Sequence, residues 1–94
     1  MIVGAVRVEI RIHGSTSLKE KRSVLRRIMD RARSRHNLSV AEVDFQEKHQ
    51  RACLGFAAVS QSEDHLRRLF QGLRDEIEQI LPAGILDWQE DFLV

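Results

Sequence analysis

Tyrosine is missing from this chain, asparagine and proline occur once each, and the single cysteine has no partner. Cys53 therefore excludes an internal disulfide. Its place in the apolar run Ala52–Val59 reads as a small buried hydrophobe of a reducing compartment. No apolar stretch approaches the roughly 20 residues of a membrane span. The opening run Met1–Val6 is cut by Arg7, too soon for the core of a secretory signal. Four histidines (His13, His36, His49, His65) are scattered without a metal-ligand spacing, and no Ser/His/Asp or Cys/His arrangement emerges. The expectation is a non-enzymatic cytoplasmic protein with no catalytic residues, no metal, no cofactor and no membrane partner.

Acidic residues are scarce in the first third. Residues 1–36 hold ten Lys/Arg against Glu9, Glu20 and Asp30, whereas the remainder holds five basic and eleven acidic side chains. The whole sums to a formal +1, yet the halves differ by sign. Such a local excess sets the field that a partner meets, whatever the net charge, and points to an anionic one.

Hydrophobic content of 43% is ample for one packed core, and 94 residues suit one domain over 1–94. Residues 2–12 alternate, with Ile2, Val6, Val8, Ile10 and Ile12 opposite Ala5, Arg7, Glu9 and Arg11, a strand with one buried face. After the turn-forming His13–Thr16, Ser17 and Glu20 form a capping box. A helix then runs to His36–Asn37, with Leu18, Val24, Leu25, Ile28, Met29 and Ala32 on one face and Asn37 as a left-handed cap. Ala41, Val43 and Phe45 alternate against Val40, Glu42, Asp44 and Gln46 in a second strand, and 47–50 form a hairpin loop. Residues 52–59 are apolar throughout, as in a central strand. Ser60 with Glu63, or Ser62, caps a second helix that Pro82 and Gly84 end, and 85–93 return to a strand with Leu86, Trp88 and Phe92 on one side. The order β-α-β-β-α-β gives an α+β, ferredoxin-like arrangement: a four-stranded antiparallel sheet with central first and third strands and both helices on one face.

On a helical wheel Lys19, Arg22, Arg26 and Arg33 fall within roughly 60° of one another, with Arg27 and Arg31 on the other flank. A row of guanidinium forks can pair with successive phosphates, so these four, with Lys21, Arg27 and Arg31 secondary, are the candidate nucleic-acid-binding residues. The competing reading is a solvated surface of good helix formers. Base stacking on the sheet is poorly supported. The run Leu54–Val59 approaches the aromatic RNA-recognition motif, but Ala58 replaces its second aromatic and the first strand has none. Acylphosphatases share the topology, and an anion could rest at the Gly14–Ser17 turn, but their glycine-rich loop pattern is missing. The sheet face that no helix covers would be sticky if Ala57, Cys53 or Trp88 lay on it, which points to a homodimer. A dimeric protein-interaction or regulatory module with no nucleic-acid ligand is therefore the alternative.

The runs Ser17–Arg22 (SLKEKR), Asn37–Val43 (NLSVAEV) and Leu54–Ser60 (LGFAAVS) resemble the YlxP-like family of small bacterial proteins of unknown function. The likeness covers nearly the whole chain and is strongest over residues 1–60. It implies a ferredoxin-like fold and a cytoplasmic, translation-linked role, with ribosomal RNA or a ribosomal subunit as the anionic partner. It supplies no catalytic residues. His36 stands where the resemblance implies Phe.

Overall fold

The computed structural model describes residues 1–94. Six elements follow one another: β1 (Ile2–Arg11), α1 (Leu18–Arg35), β2 (Ser39–Asp44), β3 (Arg51–Ser60), α2 (Glu63–Ile80) and β4 (Ile85–Leu93). The sheet order is β2-β3-β1-β4, and every neighbouring pair is antiparallel. This is the ferredoxin-like arrangement, with β1 and β3 in the middle. The two helices and the inward residues of the sheet (Val6, Val8, Ile10, Leu54, Phe56) share one core cluster with Leu25, Ile28, Leu66, Phe70 and Leu73.

Local chemistry places the helix starts. Ser17 accepts the N–H of Glu20 at 3.1 Å, while the Glu20 carboxylate turns back to the Thr16 N–H (2.8 Å) and hydroxyl (3.0 Å). The capping box thus closes one residue earlier than its usual form, and the Thr16 bonds hold the Glu20 carboxyl below its ordinary pKa. At α2 the cap is Ser62, which accepts from the His65 N–H. Ser60 instead accepts the N–H of Ser62.

Two ends differ from expectation. Asn37 does not adopt a left-handed conformation: α1 closes on an extended His36, whose N–H still reaches the Ala32 carbonyl at 3.0 Å. The left-handed residues are Phe45, Ala83 and Gly14. His36 ties α1 to α2 through Glu76 at 3.0 Å. In β4 a register shift opposite Glu9 and Ile10 makes Leu86 the extra residue. Ile85, Trp88 and Phe92 pack on the core, and Leu86 is half exposed.

The second sheet face carries no helix. Val40 is the buried residue of β2, and Val43 leans outward over Gly55. Val3, Ala5, Ala57 and Val59 also lie on that open face, since their β1 and β3 neighbours in sequence point into the core. Trp88 does not; it packs on the helical side beneath Arg74. No helix is long and apolar enough to cross a membrane.

Candidate functional site

Helix α1 presents its cations unevenly. Lys21 is a correction to the sequence reading: it is 1% exposed, its ammonium lies 2.9 Å from Glu42 and it donates to the Phe45 carbonyl at 2.6 Å. It cannot reach an outside phosphate. Its task is to fasten α1 to the end of β2 and the hairpin. The signal was in the spacing, because Lys21 precedes Leu25, Ile28 and Ala32 by four, seven and eleven residues, the register of the buried stripe.

The other candidates remain outside. Lys19, Arg22, Arg26 and Arg27 are exposed and Arg31 is partly so, and none has a carboxylate within ion-pair distance. Arg33 has a loose contact with Asp30 at 3.7 Å, both more than half exposed, and leans toward the Val40 carbonyl at 3.4 Å. The structure brings Arg22, Arg26 and Arg33 together along a groove of about 370 Å³ between α1 and β2, with Leu25 and Met29 in its floor and Asp30 and Glu42 as its acids. Lys19 lies one turn before this groove, outside its lining, and Arg27 and Arg31 also lie outside it. From Arg22 to Arg33 the helix advances roughly 16 Å, enough for several phosphates of an extended strand.

The arginines of α2 contrast with this row. Arg67 pairs with Glu63 at 3.0 Å and covers the Phe92 ring at 4.5 Å. Arg74 pairs with Glu78 at 3.5 Å and covers Trp88 at 5.3 Å. Arg68, the third arginine of α2, has no ion-pair partner, so the contrast is one of degree: two of three arginines are paired on α2, against Lys21 and loosely Arg33 on α1. The open sheet face is likewise laced with charge at one end, where Arg7 meets Glu9 (3.2 Å) and Asp44 (3.6 Å) and Arg51 meets Glu9 (2.7 Å). The bond to Glu9 raises the Arg7 pKa. Cys53 lies opposite Glu9 on this face and is fully buried; desolvation pushes its thiol pKa up. No group of three His, Cys, Asp or Glu is placed to hold a metal ion.

Fold and site thus define a small ferredoxin-like protein whose first helix carries several exposed cations without a carboxylate partner. Comparison with solved structures agrees on the fold. A de novo designed protein with ferredoxin fold superposes with a TM-score of 0.59 at 13% identity, over 100% of this chain and 85% of that one. SnoaB, a cofactor-independent oxygenase from Streptomyces nogalater, gives 0.57 at 16% identity, over 99% and 91%. The family is established by sequence: the model for a protein of unknown function (DUF503) matches residues 3–90, and the chain belongs to that family. The uncharacterized protein YlxP of Bacillus subtilis (strain 168) is 40% identical over 72 residues, with 72% of this chain and 78% of that one covered.

Proposed function

We propose that this protein is a non-enzymatic cytoplasmic factor that holds the phosphate backbone of RNA on the free cations of α1. The observation that carries the reading is a row of cations along and just before one groove: Lys19, Arg22 and Arg26 have no carboxylate partner and Arg33 only a loose one, whereas on α2 Arg67 and Arg74 are paired and Arg68 alone is not. Guanidinium groups on a rigid helix flanked by a groove offer forked donors to phosphate at little ordering cost. Recognition of this kind reads backbone rather than base, consistent with the absence of exposed aromatics on the sheet. Ribosomal RNA is the partner we propose, as the YlxP-like resemblance implies. Reversing charge at Arg22 and Arg26 tests the reading: binding of a single-stranded oligoribonucleotide, followed by fluorescence anisotropy, falls sharply while the helical circular dichroism is retained. Unchanged affinity in that variant overturns it.

A second reading rests on the open sheet face. Apart from the chain ends Met1 and Val94, the exposed large hydrophobics are Val43, Val59, Leu86 and Leu93, all on or beside that face. With Val3, Ala5 and Ala57 they form an apolar area that a second copy would cover. In this reading the protein is a dimeric interaction module and needs no nucleic acid.

A further inference from the structure

The largest cavity, about 890 Å³, opens at the pole of the sheet where β1 ends and β3 begins, and it shares no residue with the α1 groove. Arg11, Lys48, His49 and Arg51 line it, drawn from a strand end, a loop and a strand start, with Glu47 as its one carboxylate. Leu86, pushed out by the β4 bulge, supplies its one apolar wall.

Arg11 and Arg51 are direct cross-strand partners on the open face. Like charges placed opposite each other destabilise a sheet, so this pairing asks for a reason. Arg51 is partly relieved by Glu9 at 2.7 Å and by the Phe45 ring at 4.6 Å. Arg11 has no ion-pair partner, and neither has Lys48. The backbone cannot part to relieve them. The Ile12 N–H donates to the Gln50 carbonyl at 2.9 Å, the Gln50 amide donates to the Ser15 carbonyl at 3.2 Å, and the Arg11 N–H donates to the Gly84 carbonyl at 2.8 Å. Thr16 also lines the cavity, but its N–H and hydroxyl already serve Glu20, so the start of α1 contributes little and the side-chain cations must do the binding.

We propose that this pole binds a compact phosphate-bearing polyanion, independently of the α1 row. Arg11 and Lys48 are unpaired and Arg51 shares Glu9 with Arg7, so the three cations outnumber the acids beside them and favour an anion of more than one charge. A phosphate group also supplies enough acceptor oxygens for two guanidinium forks and an ammonium, which a monocarboxylate does not. Pyrophosphate, the polyphosphate of a nucleotide and the 5′-phosphate of an RNA end share this chemistry.

Titration calorimetry of the full chain at fixed ionic strength tests the site. Pyrophosphate and ATP bind saturably at one site and adenosine does not. Arg11→Glu with Lys48→Glu lowers the affinity for pyrophosphate at least about tenfold, about 1.4 kcal/mol. Arg22→Glu with Arg26→Glu leaves it unchanged, whatever becomes of oligoribonucleotide binding. The milder Arg11→Gln, which removes the like-charge contact, raises the melting temperature in the absence of pyrophosphate and reduces the rise that pyrophosphate produces. Competition by a 5′-phosphorylated but not a 5′-hydroxyl oligoribonucleotide assigns the pole to RNA ends, and competition by ATP alone assigns it to free nucleotides; either supports the site. Absence of saturable binding, unchanged affinity in the pole variant, or equal loss in the α1 variant overturns it.

Discussion

The ammonium of Lys21 lies 2.9 Å from Glu42 Oε2, and the same group donates to the Phe45 carbonyl at 2.6 Å, so one cation of the basic helix faces inward. Glu42 Oε2 makes no aligned hydrogen bond, and the contact with Lys21 is ionic. Lys21→Ala strands a carboxylate that is only about one-fifth exposed. A loss of about 2–4 kcal/mol is expected in urea unfolding, the lower part of the range for a broken buried pair because Glu42 keeps some water. Lys21→Met with Glu42→Leu recovers most of it. A near-neutral Lys21→Ala would remove the structural role assigned to this side chain.

The basic segment was legible as a helix but not as a surface. Ser17 and Glu20 announced its start, alternation over 2–12 announced β1, and the unbroken apolar run 52–59 announced a central strand, because each is a local pattern. Lys21 was hidden because its charge outweighed its position in the buried register, and only a partner carboxylate 21 residues away makes that position tenable. The polar cavity was hidden for a different reason. Arg11 and Arg51 are 40 residues apart and meet only through the β1–β3 register. The β4 bulge left no sequence mark, so Leu86 read as a core residue although Ile85 takes that place.

Glu20 gives the start of α1 a pH dependence with a defined sign. Its folded pKa is lowered by the Thr16 bonds, so the contribution is present above the ordinary carboxyl range and fades as pH falls through the lowered value. Wild type should therefore exceed Glu20→Ala in thermal stability at neutral pH, with the gap closing in acid. Ser17→Ala, which removes the other half of the cap, costs about 1 kcal/mol and shows no such closing. A gap that persists at pH 2 would contradict the carboxylate's part.

Cys53 lies beneath the Arg7, Glu9 and Arg51 lattice, and its thiol pKa is raised by desolvation, with the nearby acids adding to it and Arg7 opposing. A raised thiol pKa stabilises the fold below the usual thiol range and is lost as pH climbs through the folded value. The native thiol should be silent to Ellman's reagent at pH 8 and react promptly in denaturant. Arg51→Ala, which opens the cover while keeping the Arg7 charge that favours the thiolate, should speed native labelling. Native reactivity equal to that of a free thiol would place the sulfur at the surface.

The open face makes its own prediction. If a second copy covers it, Val43→Asp with Val59→Asp, both at positions half exposed or more, gives a monomer in sedimentation with the melting transition little changed. A wild type that sediments as a monomer at high concentration would remove the dimeric reading and leave the α1 reading untouched.

The salt dependence of RNA binding tests the central claim most directly. About four phosphate contacts through Lys19, Arg22, Arg26 and Arg33 give a slope of log K against log salt near −3, from ~0.7 per single-strand phosphate. Arg22→Glu with Arg26→Glu should bring it to about −1.4 or flatter, with affinity falling in step. A wild-type slope near zero, or one that the double substitution leaves unchanged, would contradict a phosphate-binding α1.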